Sequence, residues 1–206
     1  AGRLYFLVGD VSGKGVPAAL FMARAKTLFA TVARHEPDLG RVLAEVNRGL
    51  CTDNEAAMFA TLFAGTVELD TGELCCAVAG HEGPVLIPAS GERARIVVVD
   101  GGPALGLFAD TSFPTIRLAL RPGDALVLYT DGVTEAEAEQ GGFFTAERLV
   151  ELLSGGKDVS AAALAERVLG AVREFAGEAP QSDDITVLAF RYRPSVVDGR
   201  RPKEPS

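Results

Sequence analysis

Gly9-Asp10-Val11-Ser12-Gly13-Lys14-Gly15 follows the apolar run Leu4-Tyr5-Phe6-Leu7-Val8, and its reading decides the fold. The run has the length and composition of a buried strand over residues 3–9, ending at Asp10. Glycines 13 and 15 mark a loop. Pro17 suits the first turn of a following helix, where its missing N–H would lack a partner anyway. The stretch invites comparison with a phosphate-binding loop and fails it. Such a loop needs four residues between its first glycine and the Gly-Lys pair, then Ser or Thr. Here only Asp10, Val11 and Ser12 intervene, and Gly15 stands where the hydroxyl should be. Two readings remain: a glycine-rich strand-to-helix turn, or a carboxylate at a strand end around which the backbone folds closely.

Two further stretches repeat the pattern: Tyr129-Thr130-Asp131-Gly132-Val133-Thr134-Glu135 and Ser182-Asp183-Asp184-Ile185-Thr186-Val187. Each offers a carboxylate at the end of an apolar, strand-like run. Thr130-Asp131-Gly132-Val133-Thr134 resembles the haloacid-dehalogenase motif Asp-x-Asp-Gly-x-Thr, but Tyr129 occupies the nucleophile position. Covalent aspartyl-phosphate chemistry thereby loses its essential group. Asp131 stays a metal-ligand candidate beside the plain alternative of an Asp-Gly turn. Asp183-Asp184 alone could be a solvated turn. Together the three stretches reinforce one another. Carboxylates gathered from distant strands repel unless cations neutralise them, and Mg²⁺ and Mn²⁺ prefer such oxygens. The pattern points to an acidic metal centre that activates water against a phosphate ester.

Ala79-Gly80-His81-Glu82-Gly83-Pro84 holds one of the two histidines. A lone histidine is more often a satisfied structural residue. Its place among small residues between strands keeps His81 as a candidate for supporting the metal centre or contacting phosphate. Ser12 and Asp184, beside Asp10 and Asp183, are candidates of the same rank. His35 reads as a cation near a helix C-terminus.

At 206 residues the chain suits one domain, and its 48% hydrophobic content allows a sizeable core. A net charge of −8 argues against a nucleic-acid backbone or an anionic membrane as partner. No apolar run reaches the roughly 18 residues of a membrane helix, and no signal peptide is visible. Cys75 and Cys76 are adjacent on an expected strand and point to opposite faces. With Cys51 they form no metal-binding spacing and read as plain thiols of a reducing cytoplasm.

Helices are expected over residues 18–33, 39–50, 146–153 and 161–175, with Asp38, Thr145 and Ser160 as N-caps and Gly177 as a stop. Residues 59–69 and 73–79 read as a hairpin around Asp70-Thr71-Gly72. Further strands fit 84–87, 94–99, 115–120, 125–130 and 185–192. Arg121-Pro122-Gly123-Asp124 has the residues of a type II turn. The order is strand, two helices, a run of strands, two helices, strand. This is α+β, with antiparallel sheets covered by helix pairs. The domain is expected over 1–193, with a disordered tail over 194–206.

Read in order, Gly9–Gly15, Met58-Phe59-Ala60-Thr61, Ala79-Gly80-His81, Gly102-Pro103-Ala104-Leu105-Gly106, residues 128–136 and residues 183–188 resemble the PPM (PP2C-type) serine/threonine phosphatases, in their bacterial SpoIIE/RsbU-like branch. The resemblance spans residues 4 to about 192. It implies an αββα sandwich with two Mn²⁺ or Mg²⁺ ions at one edge in the complete domain. By position, Asp10 would bridge both metals, the Val11 carbonyl would bind one, and Asp131 and Asp183 the other. It further implies metal-activated water attacking phosphoserine on a bacterial regulatory protein of the anti-anti-sigma, STAS-like type, in the cytoplasm, with room for an N-terminal sensor domain in the full-length protein. Ser12 stands where eukaryotic relatives carry a histidine often assigned as general acid. The branch also carries a Gly-Asp-Phe-Tyr-Asp-like segment before the strand that ends at Asp10, so the domain is expected to be N-terminally incomplete. The rival readings are a catalytically weak regulatory module of the same fold and a two-metal nuclease. The acidic balance counts against the nuclease.

Overall fold

Hydrophobic periodicity of two in the strands and near four in the helices generates three stacked apolar layers. The computed structural model describes residues 2–194, so nearly all of the expected tail lies outside the described residues. The elements are β1 (Arg3–Val11), α1 (Gly15–Val32), α2 (Leu39–Cys51), β2 (Ala60–Glu68), β3 (Glu73–Ala79), β4 (Val85–Ile87), β5 (Arg95–Ile96), β6 (Thr115–Ala119), β7 (Ala125–Tyr129), α3 (Asp131–Thr134), α4 (Ala146–Leu153), α5 (Ala161–Ala176) and β8 (Val187–Arg191). They form two four-stranded sheets, in the orders β1-β2-β3-β6 and β5-β4-β7-β8. Every pairing in them is antiparallel.

Alternation along each strand sends one row of side chains to the facing sheet and the other to the helices. On β1, Phe6 and Val8 join Phe63, Val78, Leu126 and Leu128 in the inter-sheet layer. Val11 and the partly buried Tyr5 and Leu7 pack with Phe21, Phe29, Leu43 and Leu50 of α1 and α2. On β7, Ala125, Val127 and Tyr129 pack with Leu149, Leu153, Leu164 and Val168 of α4 and α5. The expected αββα sandwich is thus formed. Cys76 lies in the inter-sheet layer and Cys75 packs against the helix layer, as adjacent strand residues must. Burial pushes the Cys76 thiol up to about 12. Among the described residues no helix is long and apolar enough to cross a membrane.

Local chemistry sets most of the boundaries. Asp38 accepts from the Arg41 N–H and Ser160 from the Ala163 N–H, each capping its helix. In the turn after β6, Gly123 has φ +93° and the Asp124 N–H donates to the Arg121 carbonyl, as a type II turn requires. Several expectations shift, among them the last strand, expected over 185–192 and found over Val187–Arg191. Thr145 sits at the N-cap position of α4 but has φ +65°, and its side chain makes no capping bond. The strand expected over 94–99 shrinks to Arg95–Ile96 at a sheet edge. The segment after β7 winds into a four-residue helix, because Thr130 turns the chain and Asp131 opens it.

One buried polar side chain latches the loop over the helical layer. Asn47 on α2 is fully buried; its Oδ1 accepts from the Gly106 N–H at 2.8 Å and its Nδ2 donates to the Phe108 carbonyl at 2.7 Å. Asn47→Ala leaves that buried N–H unpaired, so it should cost about 1–3 kcal/mol. Urea unfolding should show a lower midpoint with an unchanged slope.

Candidate metal centre

Asp10 continues the row of Phe6 and Val8, so period two alone directs its side chain toward the facing sheet. It lies at the end of β1, where the inter-sheet layer opens. Asp131 begins α3 immediately beyond β7. Asp183 lies in the loop leading into β8, and β8 pairs with β7 from Tyr129↔Val187 onward. One carboxylate oxygen from each of Asp10, Asp131 and Asp183 can be chosen so that all lie within 4.8 Å of one another. The structure therefore brings these three expected residues together from both sheets. Asp184 is exposed and lines the same cleft as Asp10, Val11, Lys14 and Asp183.

Two features hold the Asp183 loop against Asp131. The Thr130 hydroxyl donates to the Asp184 carbonyl at 2.8 Å and accepts from the Thr186 N–H at 2.9 Å. Gly132 makes room: a Cβ there would stand 2.6 Å from the Asp184 carbonyl oxygen. Within the loop, the Asp184 N–H donates to Asp183 Oδ1 at 2.7 Å. Nothing in the sequence marks Thr130 and Gly132 as positioning residues apart from their place in the Asp131 motif; the partner of Thr130 is 54 residues away.

Ser12 and His81 are both engaged with the protein. The Ser12 N–H donates to the Phe59 carbonyl and its hydroxyl accepts from the Phe59 N–H, each at 2.9 Å, extending the β1–β2 ladder by one step. His81 Nδ1 lies 3.0 Å from Thr61 Oγ1, and Nε2 lies 3.0 Å from the Tyr129 carbonyl oxygen. A carbonyl only accepts, so Nε2 carries the proton and Nδ1 accepts from the threonine hydroxyl. Burial lowers the His81 pKa and keeps the ring neutral. The Tyr129 ring is buried and its hydroxyl donates to Glu82 at 3.0 Å.

The charge distribution suits a cation. Burial raises the Asp10 pKa most; the Val11 N–H opposes it, and Asp183, Asp131 and Asp184 each add a smaller push upward. Among the described residues the ion pairs are Arg3–Glu68 and Arg117–Glu73, neither of which involves these aspartates. Half-buried carboxylates without a basic partner are the donor set that Mg²⁺ and Mn²⁺ prefer.

Comparison with known proteins agrees with this architecture. The family model "Stage II sporulation protein E (SpoIIE)" matches residues 1–193. Protein IcfG of Synechocystis is 29% identical, covering 92% of this chain and 34% of its own length. Phosphoserine phosphatase RsbU of Bacillus subtilis is 28% identical over 90% of this chain and 55% of its own. The chain thus spans about a third and about half of the lengths of these relatives. The SiaA PP2C domain of Pseudomonas aeruginosa superposes with a TM-score of 0.78 at 27% identity, over 92% of this chain and 79% of that one. With the family model matched from residue 1 through residue 193, the chain belongs to the SpoIIE family.

Proposed function

We propose that this chain is a metal-dependent protein phosphatase that hydrolyses phosphoserine on a small regulatory protein of the anti-anti-sigma, STAS-like type, in the cytoplasm. The observation that carries the reading is the convergence of Asp10, Asp131 and Asp183 from three separate segments, with no basic partner among the described residues. The name of RsbU, a phosphoserine phosphatase 28% identical over most of this chain, supports the substrate class. Asp10, Asp131 and Asp183 would hold one Mn²⁺ or Mg²⁺, and Asp10 with the Val11 carbonyl would face a second. Such cations supply Lewis-acid charge, which lowers the pKa of water and offsets charge on phosphoryl oxygens.

The remaining chemistry falls to the chain itself. No covalent phosphoenzyme is needed. Tyr129, at the position where some phosphotransferases carry a nucleophilic aspartate, has a buried ring, and burial pushes its hydroxyl pKa up. Ser12 is tied to the Phe59 N–H, and a serine hydroxyl does not ionise near neutral pH. Leaving-group protonation is therefore assigned to solvent. The cleft lined by Asp10, Gly13, Lys14, Ala18 and Asp183 would receive the phosphorylated segment.

The decisive experiment supplies Mn²⁺ and offers a phosphorylated regulatory domain, a phosphoserine peptide and single-stranded nucleic acid. Phosphate release from the first two, abolished by a chelator, is the expected result. Cleavage of nucleic acid, or tight metal binding without turnover, would overturn the reading. Metal at 100 times its Kd should stabilise the fold by about 2.7 kcal/mol, a rise of roughly 5–10 °C in Tm for a chain of this size.

Asp10→Asn and Asp131→Asn should each cut Mn²⁺-dependent turnover by more than roughly 100-fold, the upper end for residues that only support a ligand. Without metal, the same variants should be at least as stable as the parent, because each removes one of the mutually repelling charges. Calorimetry with and without Mn²⁺ checks both signs. Gly132→Ala tests the loop approach. Its Cβ would displace the Asp184 carbonyl and Asp183 with it, so Mn²⁺ affinity should fall about tenfold in a calorimetric titration.

A further inference from the structure

Asp10 and Asp131 stand on different sheets, so their separation depends on how the sheets sit against each other. The inter-sheet layer is apolar, built from Phe6, Val8, Phe63, Val78, Leu126 and Leu128. Apolar packing is strong but non-directional, so it fixes the spacing of the sheets without specifying which polar groups meet at the rim. A metal centre tolerates displacements of only about 0.5 Å. Directional bonds must set the final position.

Among the described residues, side chains bridge the two halves of the sandwich at both ends. At the end far from the aspartates, the Tyr192 hydroxyl donates to the Leu69 carbonyl at 3.0 Å. At the aspartate end the bridge is His81. Thr61 is the direct cross-strand partner of Asp10 in the β1–β2 register, and Tyr129 ends β7 two residues before Asp131. His81 touches both, at 3.0 Å on each ring nitrogen.

We infer that His81 is a positioning residue that sets the separation of Asp10 and Asp131, bridging the two sheets through the Thr61 hydroxyl and the Tyr129 carbonyl. The inference rests on the metal-dependent reading proposed for this site. The imidazole suits the task. It is rigid, its two nitrogens face opposite ways, and one neutral tautomer satisfies a donor on one side and an acceptor on the other. With both nitrogens committed, the ring has no free position to offer a phosphate. The chain invests in its placement. Gly80 adopts φ +62°, and a Cβ there would stand 2.8 Å from the Ala104 nitrogen, so only glycine allows the close turn that delivers His81.

The test measures Mn²⁺ affinity by calorimetry and stability by urea unfolding in a set of variants. Thr61→Val keeps the side-chain shape but loses the hydroxyl. It and His81→Ala should each weaken Mn²⁺ binding by roughly 10–100-fold, as loss of groups that orient metal ligands does. The double variant should lose no more than the worse single one, since both break one bridge. Thr61→Ser should restore affinity. Tyr192→Phe, at the far bridge, should lower the unfolding midpoint and leave Mn²⁺ affinity unchanged, which separates positioning from general stability. If His81→Ala does not fold, the two Thr61 variants decide alone. Unchanged affinity in Thr61→Val, with the parent binding Mn²⁺ normally, would sink the inference and leave the metal reading standing. Weaker inorganic phosphate binding in His81→Ala at unaltered Mn²⁺ affinity would make His81 a substrate contact instead. Failure of the parent itself to bind Mn²⁺ would remove the metal reading and this inference together.

Discussion

Like charge gathered at one point is the constraint on which this structure turns. Asp10, Asp131 and Asp183 present oxygens within 4.8 Å of one another. Two unit charges at such a distance repel by about 1 kcal/mol in water and about 4 kcal/mol in the effective dielectric near a protein surface. No local propensity compensates for that. The compensation comes from the three apolar layers, which hold the strand ends in place whether or not their carboxylates favour it. Asp10 records the conflict, since burial and its acidic neighbours all raise its pKa. Neutralising such a cluster is what a bound cation would do.

The layers and the hydrogen bonds divide the work. Apolar burial supplies the bulk of the free energy and sets the spacing of the sheets. Directional bonds between side chains and backbone then determine where each aspartate sits. The Thr130 hydroxyl and the missing side chain of Gly132 hold the Asp183 loop against Asp131. Ser12 continues the β1–β2 ladder beyond Asp10, which restrains that strand end. These contacts sit at the rim, where loops would otherwise move most freely.

Membership of the SpoIIE family describes the frame, and chemistry resides in the residues at its rim. The relatives it matches extend beyond the matched region, since this chain spans about a third and about half of their lengths.

The sequence by itself determined what depends on neighbouring residues. The apolar runs placed the strands, Asp38 and Ser160 placed helix starts, and Pro122-Gly123 placed the turn before β7, because each of these is a matter of local backbone chemistry. The positions of Asp10 at the end of β1 and Asp131 just beyond β7 were legible for the same reason, whereas Asp183 lies in the loop before β8. Tertiary structure decided everything that depends on what lies opposite. It brought Asp183 rather than Asp184 toward Asp10, because the loop is clasped through the Asp184 carbonyl. Helix periodicity puts Asn47 on the buried face with Leu43 and Leu50, but only tertiary structure supplied its partner loop some 60 positions away. It turned both nitrogens of His81 onto Thr61 and Tyr129, residues 20 and 48 positions distant. Local rules fix the direction of a side chain along its own element; only the packing of one sheet on the other fixes what that side chain meets.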